Sequence, residues 1–177
     1  PVHLTFPMDV QKAEVEAVRM VVRRRPAPRP AVEDVEGAAD ALLGSLRPLI
    51  AAGSGVYYAG AGEAMLRFAE EFEIPVVVPI WDRGSVDRVS PVFLGVAGAA
   101  TGGPHLLPDA DCVLLAGAQP DYRVGFLEAG ALSERAVVVQ LAREWDRLAE
   151  ALRRKGGKGY HNWLAESARR RDEFRAA

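Results

Sequence analysis

Apolar residues between positions 32 and 50 recur every three or four residues, which is the spacing of one face of a helix. We expect a helix over 32–50, ended by Gly53 and Gly55. The run "VYYAG" at 56–60 is apolar without alternation and predicts a short strand covered on both faces. The expected buried face of the helix consists of Val35, Ala39, Leu42, Leu46 and Leu49.

A turn containing Gly60 and Gly62 leads into a second amphipathic stretch, and "VVVPI" at 76–80 predicts the next strand. Together these pieces form a βαβ unit, whose crossover is right-handed. Further strands are predicted at "CVLLAG" and "AVVVQL", with a shorter apolar piece at "VFLG". Helical spacing returns from Arg143, and a last helix is expected from about Tyr160. The apolar positions of the second helix are Met65, Phe68, Ala69 and Phe72.

Strands that alternate with helices predict an α/β fold. We expect a three-layer Rossmann-like domain with a mainly parallel sheet of about five strands and helices on both faces. Ligands of such sheets bind beyond the carboxyl ends of the strands, near a topological switch point. Three loops are therefore candidates for a site, and they lie at 60–63, 95–104 and 117–123.

The first thirty residues have a different character. Val2, Leu4 and Phe6 alternate with polar residues, as in a half-buried strand without a lead-in. We expect residues 1–12 to be the last strand of an upstream domain, 13–31 to be a linker and 32–177 to be the main domain. The stretch "RRRPAPRP" favours an exposed, stiff linker, and a basic anion-binding patch is the alternative.

Composition excludes several classes of protein. The formal net charge is −2, so no nucleic-acid partner is indicated. No apolar run approaches the length of a membrane span. Cys112 is the only cysteine, which rules out a disulfide within the chain and indicates a small buried hydrophobe. A cytoplasmic location fits these features.

The Gly60–Gly62 turn has two interpretations. Two glycines before a helix allow a close approach of a phosphate to free N–H groups. Met65 stands where the dinucleotide fingerprint has its third glycine, and Glu63 repels a phosphate. Asp82 is at the distance expected for a ribose-binding acid but follows Trp81 in a loop. Phosphate binding and a plain tight turn therefore both stay open.

Other chemical signals are weak. The three histidines, His3, His105 and His161, lack the spacing of metal ligands, and no lysine of the P-loop type follows the glycines. Asp121 and Arg123 follow the strand "CVLLAG", where a ligand would lie. They form either a surface ion pair or part of a binding site.

Several segments in order resemble the thiamine-diphosphate-dependent enzymes of the acetolactate synthase-like group. They are "PVHLTFPMDVQ", "YYAGAGEA", "FAEEFEIPVVVPIWDRGSV", "SPVFLGVAG", "DADCVLLAGAQPDYRV" and "WLAESARRRDEF". The resemblance implies the central one of three domains, without catalytic residues of its own. It implies that absent flanking domains of the same chain bind thiamine diphosphate and Mg²⁺. The intact protein would be a homo-oligomeric lyase or transferase, a dimer or tetramer, acting on 2-keto acids or related acyl donors.

The resemblance also suggests a nucleotide site, because some members bind FAD or ADP in this domain. The matching positions are Gly60, Gly62, Gly98, Thr101, Gly102, Asp121 and Arg123. Gln119 and Gln140 replace an arginine and an acid that FAD-binding members use, and the loop at 98–102 lacks larger side chains. We therefore expect a structural domain with a degenerate site that binds neither FAD nor ADP. The alternative is a nucleotide-binding domain, for FAD, ADP or NAD, with a cofactor or regulatory role.

Overall fold

The computed structural model describes residues 3–16, 29–82, 84–97, 106–141 and 143–176. It contains five strands, six α-helices and two short 3₁₀ segments within these ranges. The strands are β1 (Pro48–Ala52), β2 (Val76–Pro79), β3 (Phe93–Ala97), β4 (Cys112–Ala116) and β5 (Val137–Leu141). The helices are α1 (Met8–Gln11), α2 (Val32–Leu43), α3 (Ser54–Tyr58), α4 (Gly62–Glu71), α5 (Trp145–Arg154) and α6 (His161–Ala176).

All five strands form one parallel sheet in the order β3-β2-β1-β4-β5. The chain winds outward from β1 in one direction and then returns to β4 on the other side of β1. This reversal is the topological switch point of a doubly wound sheet, and it lies between β1 and β4. The predicted α/β Rossmann-like fold is confirmed.

The sheet is covered on both faces by helices of the same chain. Every residue of β1, β2 and β4 is buried, as expected for central parallel strands. On one face, Ile50 and Leu114 pack with residues of α2, α4 and α5. On the other face, Leu49 and Val113 pack with Trp163 of α6. The apolar core is therefore closed within this chain.

The prediction for residues 44–60 is wrong. Helix α2 ends at Leu43 rather than at residue 50, and Pro48–Ala52 forms the central strand β1. The run "VYYAG", predicted as a strand, instead contains the five-residue helix α3. Leu46, which completed the helical spacing, is 80% exposed. Pro48 lies at the first position of its strand, where its missing N–H costs no hydrogen bond in the ladder.

The other predicted elements are confirmed, namely strands β2, β4 and β5 and helices α4, α5 and α6. The short apolar piece "VFLG" belongs to strand β3. Leu4 and Phe6 are exposed and belong to no strand of the described chain, and α1 contributes no buried residue. Most of the predicted linker, 17–28, lies outside the described residues, so the domain boundaries stay predictions. No helix in the described ranges is both long and apolar enough to traverse a bilayer.

Candidate functional site

A depression near the switch point lies at the carboxyl ends of β1, β4 and β5. Its volume is about 480 Å³, within the usual range for small-molecule sites. The described residues that line it are Gly55, Leu115, Gly117, Ala118, Gln119, Gln140 and Leu141. Gln119 and Gln140 supply the polar side chains of this lining, and none of these residues carries a charge.

The turn after β1 is packed directly against the turn after β4. Gly53 N–H donates to the carbonyl of Ala116 over 2.7 Å, and Gly55 N–H donates to that of Gly117 over 3.0 Å. A Cβ on Gly53 would lie 2.3 Å from the Cα of Ala118. The glycines of this turn therefore permit contact between two backbones, and the space beside them is already filled by protein.

The predicted turn at Gly60 and Gly62 lies elsewhere, at the joint between α3 and α4. Gly60 is exposed, and its φ of +62° is the left-handed conformation that reverses the chain after α3. Open space surrounds the place of its missing Cβ. These glycines follow a helix instead of a strand, so the geometry that suggested a phosphate contact is not present there. Gly98, Thr101 and Gly102 lie outside the described residues.

Asp121 and Arg123 do come together, in a network that includes Asp82. The Arg123 guanidinium contacts carboxylate oxygens of Asp82 and of Asp121, each at 2.8 Å. Asp121 also accepts a hydrogen bond from the Arg123 backbone N–H over 2.9 Å. The Arg123 side chain is only 14% exposed. This side chain therefore joins the loop after β4 to the loop after β2.

Ser54 connects the same network to the turn after β1. Its hydroxyl donates to Oδ1 of Asp82 over 2.5 Å. The other oxygen of Asp82, Oδ2, is buried and has no hydrogen-bond partner among the described residues. Sequence reasoning placed Asp82 in a loop and missed its partners, because Ser54 and Arg123 reach it only through the fold.

The charged groups of this network mostly compensate one another. Hydrogen bonds donated by Arg123 lower the pKa of Asp121 below its ordinary value. The hydrogen bonds that Asp121 and Asp82 accept raise the pKa of Arg123. Two carboxylates and one guanidinium leave a net charge of −1. An anionic phosphate is repelled by that balance, and Arg123 has little capacity left to bind one.

The other side chains that could carry chemistry are buried or bound to neighbouring residues of the fold. Cys112 is buried, as predicted, and burial raises the pKa of its thiol to about 11. Asp111 accepts hydrogen bonds from the N–H groups of Leu46 and Arg47 and fixes the start of β1 beside β4. His161 contacts Glu73 at 3.0 Å. The described residues contain no group of three or more histidine, cysteine and acidic side chains able to hold a metal.

Exposed aromatic side chains occur in the same segments as the network. Tyr57 packs against the position of Gly84, Trp81 precedes Asp82, and Tyr122 lies between Asp121 and Arg123. Trp81 and Phe126 hold positive φ angles of 72° and 53°, which are uncommon for large residues. We define the strand-end aromatic surface as Tyr57, Tyr58, Trp81, Tyr122 and Phe126, all of which are exposed. Exposed aromatic side chains are enriched at protein contacts.

Comparison with known proteins identifies a family. Residues 35–152 match the model of the thiamine pyrophosphate enzyme, central domain. The chain is 30% identical over 156 residues to the acetolactate synthase large subunit IlvG of Mycobacterium tuberculosis, covering 80% of this chain and 28% of that protein. It is 32% identical over 103 residues to the glyoxylate carboligase of Escherichia coli O157:H7, covering 57% of this chain and 17% of that protein.

A solved structure has the same fold. Benzoylformate decarboxylase from Polynucleobacter necessarius superposes with a TM-score of 0.58 at 17% identity, over 82% of this chain and 31% of that one. The chain thus spans less than a third of the length of each of these three proteins.

Proposed function

Because the chain belongs to the family of thiamine pyrophosphate enzyme central domains, we propose that it is the non-catalytic central domain of a larger enzyme. The intact enzyme would act on 2-keto acids or related acyl donors, by decarboxylation or carboligation. Thiamine diphosphate, when bound, supplies stabilisation of the carbanion that such reactions form. The flanking domains of the same polypeptide would bind this cofactor and its Mg²⁺.

The observation that carries this proposal is the match of residues 35–152 to the central-domain model. The engagement of Arg123 by Asp82 and Asp121 supports the non-catalytic role. These are charged groups that the fold brings to the strand ends, and they bind one another. Mg²⁺ with a diphosphate requires free carboxylate or amide oxygens. Asp121 and Oδ1 of Asp82 already accept from Arg123, and Oδ2 of Asp82 is buried. The network of Asp82, Asp121 and Arg123 therefore offers no free carboxylate to the cofactor, which supports its assignment to other domains.

The nucleotide site is degenerate in our proposal. Gln140 lines the depression where an acid would bind ribose hydroxyls, and the net charge of −1 in the Asp82 network opposes a phosphate. The backbone of Gly117 and Ala118 fills the space beside Gly53 and Gly55. The candidate positions Gly60, Gly62, Gly98, Thr101 and Gly102 would then form a vestigial site at most.

The strand-end aromatic surface would be the contact with a flanking domain. The relatives are more than twice as long as this chain, so additional protein is available to cover it. Buried aromatic anchors of this kind dominate the energy of interfaces. The domain would thereby orient the catalytic domains, in a cytoplasmic homo-oligomer whose domain boundaries near 12 and 31 follow the sequence prediction.

The test of catalysis uses the intact polypeptide. It is purified without cofactor and assayed for turnover of a panel of 2-keto acids with thiamine diphosphate and Mg²⁺. We expect turnover that requires both. A protein that binds thiamine diphosphate without turning over any 2-keto acid would contradict the substrate class, and failure to bind it would contradict the proposed function.

The test of the domain contact compares two variants of the intact polypeptide. Trp81→Ala removes an anchor of the strand-end aromatic surface, whereas Val89→Ala alters a side chain that is 97% exposed outside it. We expect proteolysis between domains to become faster and turnover to fall in Trp81→Ala alone. Equal behaviour of the two variants would rule out this surface as the contact.

Nucleotide binding is measured separately by calorimetry with FAD and ADP. We expect no saturable heat and no flavin absorption band in the purified protein. Stoichiometric binding of either nucleotide would favour the alternative, a domain with a cofactor or regulatory role.

A further inference from the structure

Three bulky residues in the loops after β2 and β4 have left-handed backbone conformations. The φ angles are 72° at Trp81, 53° at Phe126 and 58° at Leu127. Because the Cβ of an L-residue crowds the backbone in this region, each of these residues raises the free energy of the folded state. Trp81 and Phe126 are also exposed, so burial of their rings does not offset the cost. Such strain persists only where the surrounding structure imposes it, and it is concentrated at functional sites.

The strained residues lie in two tight turns that the charged network closes. Asp82 N–H donates to the carbonyl of Pro79 over 3.0 Å, which closes the first turn around Trp81. In the second turn, Phe126 N–H donates to the carbonyl of Asp121 over 2.9 Å. Each turn therefore has a strained aromatic residue and, at one of its ends, an aspartate of the network.

Arg123 connects the two turns. Its guanidinium contacts carboxylate oxygens of Asp82 and of Asp121, and the side chain is mostly buried, so these contacts are little screened by water. The first turn is also fixed to the loop after β1, because the buried hydroxyl of Ser85 donates to the carbonyl of Gly53 over 2.7 Å. Since a planar guanidinium directs its hydrogen bonds in fixed directions, a movement of one turn displaces the other.

We propose that Arg123 is a positioning residue, which makes the two turns one rigid unit and holds Trp81 and Phe126 in the orientation that the flanking domain contacts. The orienting role rests on the proposed function, in which the strand-end aromatic surface is that contact. The rigid unit, in contrast, is a property of this chain alone. Side chains that are already ordered lose less conformational entropy when they are buried in an interface, so this arrangement favours the contact.

Hydrogen exchange of the 177-residue chain tests the rigid unit. Arg123→Gln removes the cation that both turns share. The amides of Asp82 and Phe126 should then exchange faster by the same factor, about tenfold or more, because both turns open together. Acceleration at Phe126 without acceleration at Asp82, or at neither amide, would overturn the proposal.

Leu152→Ala is the control for a general loss of stability. Leu152 is a buried residue of α5. It is adjacent to Arg153, which binds Glu71 at the end of α4, ahead of β2 and therefore at the opposite end of the sheet. This variant should accelerate exchange in the core strands and leave the local opening of the two turns unchanged. Equal acceleration of both turns by Leu152→Ala and Arg123→Gln would reduce Arg123 to a general contribution to stability and overturn its positioning role.

The intact polypeptide tests the orienting role. Arg123→Gln should accelerate proteolysis between domains by about tenfold. The same substitution should add little in a variant that already lacks both aromatic side chains, Trp81→Ala with Phe126→Ala, because Arg123 acts through them. A full additional effect in that background would overturn the orienting role. Unchanged proteolysis in the variant without the aromatic side chains would contradict the proposed contact itself, while hydrogen exchange would still decide the rigid unit.

Discussion

Two Gly-x-Gly turns lie close together in this chain, and they have different physical roles. Gly53 and Gly55 follow the central strand β1 and press against the backbone of Gly117 and Ala118. Gly60 and Gly62 connect two helices, and the surroundings of Gly60 are open. The first turn is required by packing between neighbouring strand ends, whereas the second is required only by the direction of the chain. The role of a Gly-x-Gly motif therefore cannot be assigned until it is known whether a strand or a helix precedes it.

Among the substitutions that test the difference between the two turns, Gly117→Ala should lower the free energy of unfolding most. A Cβ there would lie 2.6 Å from Val56 N, and the φ of +57° is strained for alanine. We expect a loss of about 4 kcal/mol in the free energy of unfolding, from overpacking and backbone strain together. Urea denaturation measures it, with Gly37→Ala as the control. Gly37 is exposed in α2 with nothing near its missing Cβ, so alanine should stabilise slightly.

Arg123→Gln should have the next largest effect, because it leaves Asp82 buried without its cationic partner. We expect a loss of about 3 kcal/mol in the free energy of unfolding. The double variant Asp82→Asn with Arg123→Gln should recover part of that loss, since no unpaired charge remains. The loss in the double variant is compared with the sum of the losses in Asp82→Asn and Arg123→Gln. If the two are equal, the side chains are not coupled and the network does not link the first turn to the other loops.

The elements predicted from sequence were those with strong local signals. Strands β2 and β4 are continuous apolar runs, and α4 shows its buried face at Met65 and Phe68. Strand β1 was missed because Leu46 and Leu49 continue the helical spacing of α2. In the structure, Leu49 belongs to β1. Helix α3 has five residues, too few to display a helical period.

The candidate site was predicted only in part, for a related reason. Asp121 and Arg123 are two residues apart, so their pairing is visible in the sequence. Asp82 and Ser54 reach the same network through β2 and β1, and such contacts depend on the strand order. The misplaced first strand also displaced the predicted turn from Gly53 to Gly60. Long-range packing, rather than local propensity, therefore decided which glycines lie at the strand ends.

Gly60→Ala tests the second turn and should have a smaller effect than the substitutions at the first. Its φ of +62° strains alanine, but no atom lies within 4 Å of the added Cβ. We expect a loss of about 1 kcal/mol in the free energy of unfolding. Gly60→Asn is the matched control and should lose less, since asparagine tolerates the left-handed region. A loss as large as that of Gly117→Ala would contradict the distinction between the turns.

Acidification should produce the smallest effect, and it should be specific to the network at the first turn. Arg123 lowers the pKa of Asp121 in the folded state below the ordinary value of 3.8. On acidification the Asp121 carboxylate is therefore protonated first in the unfolded chain. Its contribution to the free energy of unfolding is complete well above pH 3.8. It is lost as the pH falls through the folded pKa.

The free energy of unfolding, measured by urea titration at successive pH values, should fall more steeply in the wild-type chain than in Asp121→Asn. Other paired carboxylates, such as Glu70 with Arg88, are common to both proteins and cancel in this difference. Identical slopes would mean that the Asp121–Arg123 pair contributes nothing to the stability of the strand ends.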